Sequence, residues 1–249
     1  MTFNLVVPMA GAGSRFRAKG YANPKPLIDV NGTPMFAMAV DNLIKDFEVN
    51  PLSITFIIDI AHDRKFDISE TILDYYGKSH NVNIIALSKR TEGAAMTVRA
   101  AAAYLPPNEP VIIMNCDQYV EPIPVDTYKL EGFMASRDAG MLVFHQPKPD
   151  PKWSYASVVD GKVKHVAEKD PISEHATVGI YYWSKASIMF NSIDEMIVAD
   201  DRTNGEFYLC PAFNYTIDAG FGVGIHAVAA MHSLGTPEDL EKYLASTNV

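Results

Sequence analysis

Asn4-Leu-Val-Val-Pro-Met-Ala-Gly-Ala-Gly-Ser-Arg-Phe16 runs from a short apolar, β-prone segment straight into a turn of small residues and a basic side chain. A turn of this kind exposes backbone N–H groups to an anion, and Arg15 adds a charge-assisted fork. Ala10, Gly11, Ala12, Gly13 and Ser14 therefore read as a phosphate-cradling loop, with a helix-capping turn as the alternative. Shortly after, Pro24-Lys-Pro-Leu-Ile-Asp-Val30 sets a second cation, Lys25, between two prolines. Phe16 stands where the third glycine of Gly-x-Gly-x-x-Gly belongs, which argues against a dinucleotide cofactor, and no Gly-Lys-Ser/Thr follows. A triphosphate nucleotide is the ligand that this loop and its two cations suit.

Working outward, strand-like and helix-like runs alternate at the pace of a doubly wound sheet. Leu5–Met9, Ser53–Ile58, Val82–Leu87 and Val111–Asn115 read as strands. Helical spacing covers Pro34 to Phe47, Phe66 to Tyr76 and Ala94 to Leu105. Past Asp138 the rhythm changes to Gly140–Phe144, Ser154–Val159, Lys162–Glu168 and Thr177–Trp183, with an Asp160-Gly161 turn that predicts a hairpin. Helices are expected over Lys185 to Ala199 and Glu206 to Ala219, then a strand over Gly224–Val228. Thr236-Pro-Glu-Asp-Leu240 opens a last helix, with threonine as N-cap and proline at the first position. The expectation is one α/β domain over 1–249, Rossmann-like, with a mostly parallel mixed sheet: a nucleotide-binding half, 1–138, and an acceptor-binding half, 139–249.

The charge balance narrows the partners. With 21 Lys and Arg against 30 Asp and Glu, the net charge of −9 disfavours attraction to nucleic acid or to an anionic membrane. Cys116 and Cys210 have no metal-ligand spacing and read as reduced core thiols. No run reaches transmembrane length, and Met1-Thr-Phe-Asn-Leu5 lacks the basic region of a signal peptide, so the expected location is the cytoplasm. A homo-oligomer stays open.

Further constellations follow the strand ends. Asp117, just beyond the apolar run Val111-Ile-Ile-Met114, can hold Mg²⁺ against phosphate oxygens or cap the next turn; Asn115 joins the nucleotide contacts. Thr91-Glu-Gly-Ala94 opens a helix with small residues, so Thr91, Gly93 and Ala94 let a flat base approach, or else serve helix–sheet packing. Glu168 can accept hydroxyls of a polyol and Lys169 can meet a phosphate, unless both are a solvated hairpin end. Asn204 and Glu206 are further substrate contacts, with a helix cap as the other reading of Glu206. Pro151-Lys-Trp-Ser-Tyr155 is a lid over the acceptor that uses Tyr155, or a packed loop corner.

Taken in order, Gly11–Phe16, Pro24–Leu27, Gly93-Ala94, Asp117, Glu168-Lys169, Thr177-Val-Gly-Ile-Tyr181 and Leu234-Gly-Thr-Pro-Glu-Asp239 resemble the sugar-phosphate nucleotidyltransferases. That superfamily includes glucose-1-phosphate thymidylyltransferases, mannose-1-phosphate guanylyltransferases and phosphocholine cytidylyltransferases. The resemblance implies that Arg15 and Lys25 embrace a triphosphate, Asp117 holds Mg²⁺, and Glu168, Lys169 and Gly179 face the acceptor. It also implies transfer of a nucleoside monophosphate to a sugar 1-phosphate or another small phosphorylated metabolite, with release of pyrophosphate, in nucleotide-sugar supply for capsule or other surface glycans. Many relatives carry a second metal-binding aspartate where this chain has Ser233, so either another acid such as Asp218 supplies that ligand or Asp117 holds Mg²⁺ with waters and phosphates alone. A glycosyltransferase using a nucleotide-sugar donor is a different class; Asn115 and Tyr119 deny it an Asp-x-Asp arrangement around Asp117. A non-catalytic nucleotide-sugar sensor is favoured only by Ser233.

Overall fold

The structure, a computed structural model, describes residues 2–124 and 129–247. In chain order the strands are β1 (Asn4–Pro8), β2 (Asp29–Val30), β3 (Thr33–Pro34), β4 (Ser53–Asp59), β5 (Val82–Leu87), β6 (Val111–Met114), β7 (Gln118–Glu121), β8 (Ala139–His145), β9 (Ser154–Val159), β10 (Lys162–Glu168), β11 (His175–Trp183), β12 (Val223–Ala227) and β13 (Ala230–Ser233). The helices are α1 (Ser14–Ala18), α2 (Met35–Asp41), α3 (Ile60–Phe66), α4 (Ile68–Tyr76), α5 (Ala94–Arg99), α6 (Leu130–Ala135), α7 (Ala186–Val198), α8 (Ala212–Asp218) and α9 (Pro237–Thr247).

Successive side chains of a strand point to opposite faces, and β1 shows the consequence. Leu5 and Val7 pack with Phe36, Phe56 and Tyr76 on one face of the sheet, while Val6 packs with Ile57, Val98 and Trp183 on the other. β1 sits between β4 and β6, both parallel to it, and β5 extends the sheet beyond β4. The direction then reverses: β11 runs antiparallel to β6, with Tyr181 opposite Ile113. β8 and the β9–β10 hairpin also pair antiparallel with β11, and β12 joins β8 in parallel. The nine-stranded sheet is therefore an α/β Rossmann-like sheet, parallel in its first half and mixed in its second. Asp160 and Gly161 turn the hairpin, both with positive φ (50° and 71°) as a primed turn requires.

Four expected helices differ. That over Ala94 to Leu105 leaves α-geometry after Arg99 for a 3₁₀ turn, Ala100–Ala103. The one over Pro34 to Phe47 leaves α-geometry after Asp41 and ends in a π-turn, Asn42–Asp46. That over Phe66 to Tyr76 is broken at Asp67, whose left-handed φ of 51° separates α3 from α4. That over Glu206 to Ala219 begins only at Ala212, because Asn204 and Gly205 (φ 50° and 80°) form a tight turn and 206–211 is used elsewhere. The short pair β7–β13 has no counterpart in the sequence reading; four residues are too few for a period to register.

A third, smaller core ties the last helix and the segment before it to the glycine loop. Phe16, Ile28, Val30 and Met35 pack against Leu234 and Leu240, so Phe16 is an anchor. Asp239 N–H donates to Thr236 Oγ1 at 3.1 Å, the N-cap bond that the sequence predicts for the last helix.

Candidate active site

Open parallel sheets bind ligands beyond the carboxyl ends of their strands, and β1 and β6 both end at one cleft. Past β1, Gly13 takes a φ of 59°, and a Cβ there would come within 3.3 Å of Lys25 Cβ, so loop and cation pack closely. Gly11, Ala12, Gly13, Ser14, Arg15 and Lys25 line a cleft of about 380 Å³, with Asn115 and Asp117 from the end of β6 on its other side. Lys25 Nζ forms an ion pair with the Asp117 carboxylate. The backbone of Asp117 is tied down by Leu234 N–H donating to its carbonyl at 2.8 Å. Ala10 is buried behind the loop and contributes nothing to the cleft surface.

A second cavity, about 360 Å³, opens from the first. The two share Arg15, Asn115, Asp117 and Gly235. Gly235 packs close to the carboxylate: a Cβ there would lie 3.0 Å from Asp117 Oδ2. Beyond that wall the second cavity meets Ala94, Glu168, Lys169 and Gly179, all expected at the site, and also Gln118, Trp153, Ser154, Tyr208 and Asp239. Ser154 Oγ donates to Glu168 Oε2. Burial pushes the Glu168 carboxyl above its ordinary value, against the opposing pull of Ser154 and Lys169. Lys169 has a positive φ of 59°, and its Nζ hydrogen-bonds Tyr208 Oη and lies 4.3 Å from that ring's centroid. Cys210 lies in the wall but is 1% exposed, and burial pushes its thiol well up, so it is no thiolate nucleophile.

Several expected contacts are placed elsewhere. Asp218 ends α8, just ahead of Val223, which pairs with the first residue of β8; that is the amino-terminal edge, opposite the end of β6 that carries Asp117. It cannot serve as a ligand beside Asp117. Tyr155 is fully buried and its hydroxyl donates to the Asp150 carbonyl at 2.9 Å, so it braces the 150–153 loop. Trp153 is the ring that lines the cavity, edge-on to Phe144 at 5.4 Å. Asn204 is at the exposed tip of its turn and lines neither cavity, and Glu206 faces the first cleft instead of the second. The Thr91 hydroxyl is spent on Gly93 O and Thr97 Oγ1, within the turn that leads into α5. Gly93 is required by packing: its φ is 135°, and a Cβ would fall 2.3 Å from Phe207 O. Two backbone bonds, Phe207 N–H to Glu92 O and Ala95 N–H to Phe207 O, zip the two segments together.

Residues 6–207 match the sequence profile of the nucleotidyl transferase family. The chain belongs to that family. Its fold is that of the nucleoside-diphosphate-sugar pyrophosphorylase from Vibrio cholerae RC9, to which it is similar with 24% identity over 97% of this chain and 99% of that one (TM-score 0.81). It is also similar to the inositol-1-phosphate CTP transferase from T. maritima, with 15% identity over 99% and 95% of the two chains (TM-score 0.76). A UDP-glucose pyrophosphorylase solved with UDP-glucose is 16% identical over 100% and 99% (TM-score 0.77). No curated protein sequence matches the chain. Among the described residues no helix is long and apolar enough to cross a membrane.

Among the cavity residues, sequence reasoning passed over Gln118, Ser154, Tyr208 and Asp239. None of the four is marked by a local pattern: β7, which opens with Gln118, is too short for a strand period to register. Asp239, read only as a helix-start acid, accepts from Ser233 Oγ at 3.1 Å and pairs with Lys152 at 2.7 Å. Burial pushes its carboxyl up, but Lys152, Thr236 and Ser233 outweigh that and hold it below its ordinary value.

Proposed function

We propose that this nucleotidyl transferase moves a nucleoside monophosphate from a nucleoside triphosphate to a small phosphorylated acceptor, a sugar 1-phosphate or a similar metabolite, and releases pyrophosphate. The observation that carries this reading is the shared wall. A loop suited to a triphosphate and a cavity suited to a polar small molecule meet at Arg15, Asn115, Asp117 and Gly235, so both substrates would present phosphate to one place.

An oxygen of the acceptor phosphate attacks the α-phosphorus in line, and the bond to the β-phosphate oxygen breaks with its electron pair leaving on pyrophosphate. The attacking group is already anionic near neutral pH and needs no strong base; alignment and charge neutralisation are what the protein must supply. Arg15 and the glycine-loop N–H groups would hold the β- and γ-phosphates, and Lys25 the bridge between α-phosphate and leaving group. Lys169 would orient the acceptor phosphate, and Glu168, kept partly desolvated, would accept from its hydroxyl or N–H groups.

Among the described residues no three His, Cys, Asp or Glu side chains are grouped to hold a metal, so a magnesium ion would rest on Asp117 with phosphate oxygens and water. Asp117 offers a hard carboxylate, 22% exposed where the cavities meet, and Mg²⁺ is commonly held by one or two carboxylates together with phosphate oxygens. Such an ion would supply Lewis-acid charge to the triphosphate. Since Lys25 and Asp117 are paired, the nucleotide would draw the lysine to its phosphates and free the carboxylate for the cation.

Purified protein with Mg²⁺, each of CTP, UTP, dTTP, GTP and ATP, and a panel of sugar 1-phosphates and small phosphorylated alcohols should release pyrophosphate only when one nucleotide and one acceptor are both present. Asp117→Ala should abolish it. Silence with every pair, or release that needs no acceptor, would end this reading.

A further inference from the structure

Among the described residues, Gln118 Nε2 is a buried side-chain nitrogen without a hydrogen-bond partner. The residue opens β7 directly after Asp117, is 1% exposed, and lines the second cavity. An unpaired buried amide donor carries a desolvation penalty that an apolar side chain at the same position would avoid. The surroundings are shaped to keep the amide there. β11 carries a bulge at Gly179, with φ 76°, where a Cβ would come 2.9 Å from Gln118 Oε1 and 2.3 Å from Asn115 Nδ2. The free edge of β7 is held by Asn42, which accepts from Val120 N–H at 2.9 Å and donates to Val120 O at 2.8 Å. A strand held along both edges, a bulge cleared for two amides and a buried donor left over adjoin the cavity that Gln118 lines.

We propose that Gln118 is a specificity-determining residue for the acceptor: its Nε2 donates to a hydroxyl or carbonyl oxygen in the non-phosphate part of that molecule. The assignment rests on the transferase reading, which gives the second cavity to the acceptor. It selects for an oxygen-bearing head group and against a quaternary ammonium or alkyl head, which would leave the donor unpaired. Glu168, with Ser154 already on one oxygen, has acceptor capacity left for the same molecule's O–H or N–H groups.

The test uses the full chain labelled with ¹⁵N and follows the Gln118 side-chain amide in heteronuclear correlation spectra. The probes are glucose 1-phosphate, glycerol 3-phosphate and phosphocholine, plus any acceptor that supports pyrophosphate release. Oxygen-rich phosphates should move the amide proton and phosphocholine should not. In turnover, Gln118→Met should raise the acceptor KM about tenfold and leave the nucleotide KM within about twofold. An amide unmoved by every oxygen-rich probe, a Gln118→Met enzyme with unchanged acceptor KM, or an effect on the nucleotide KM instead would each overturn the assignment. The amide readout is made on the unaltered chain, so it stands even if the variant fails to fold. Absence of pyrophosphate release while the amide still responds would end the transferase reading and leave a polar-phosphate site at Gln118. Release with an acceptor that leaves the amide still would end this assignment alone.

Discussion

On the nucleotide side of the cleft, most of the lining comes from one run, 8–16, with Lys25 and Pro26 close behind. On the acceptor side it is gathered from residues scattered between Arg15 and Asp239. The first cleft is lined by the glycine loop and two cations at the end of a parallel strand. The second is lined by residues brought together from antiparallel strands: Gln118 from β7, Ser154 from β9, Glu168 from β10 and Gly179 from β11. Phosphate recognition by backbone can be written in a dozen consecutive residues because the donors are neighbours in the chain. Reading an acceptor's shape needs groups on several walls, and no short segment can supply them.

The largest expected effect comes from breaking the nucleotide side. Lys25→Met removes a charge aimed at the phosphates and should lower kcat about 10²–10³-fold in the pyrophosphate assay; a loss under fivefold would mean that the loop and Arg15 suffice without it. Next is the seam between the halves. Gly93→Ala places a methyl against the Phe207 backbone at a φ of 135°, and should cost about 2–4 kcal/mol, read as a lower melting temperature. An unchanged melting temperature would show that the 91–95 and 203–207 segments are not clamped.

On the acceptor side, Tyr155→Phe should cost about 0.5–1.5 kcal/mol of stability through the bond to Asp150 O, with both KM values unaltered. A selective rise in acceptor KM would return Tyr155 to the ligand. The smallest effect is a pH signature. In the folded chain the Glu168 carboxyl is held above its ordinary value of 4.5, so folding favours the protonated form. The stability it contributes is full below that value and is lost as pH rises through the folded one. Glu168→Gln should therefore raise the melting temperature relative to the unaltered chain at pH 8 and not at pH 4; a lower melting temperature at pH 8 would show that the charged form is favoured by folding instead.

Legibility followed the same divide. That Arg15, Lys25 and Asp117 line one cleft was legible because each lies close to a strand end or to a glycine or proline that already constrains the backbone. Glu168 and Lys169 were recognisable as a charged pair closing a hairpin strand. Tyr155 was misplaced because Trp153 and Tyr155, two apart, look equivalent by strand period; which of the two ended in the core depended on Phe144 beside one and Asp150 beside the other. Asp218 was proposed only because an acid was missing at Ser233, and nothing local tied it to the right edge of the sheet.

The sequence by itself determined the parallel half, its glycine loop and two cations, and the capped helix after Leu234, since each depends on residues within one or two turns of one another. Only the tertiary structure decided how β11 reverses the sheet, that Lys25 pairs with Asp117, and that Gln118, Trp153, Tyr208 and Asp239 share a cavity. Those outcomes are set by long-range strand register and close packing. Both depend on the whole chain at once, and neither leaves a mark in any short window of it.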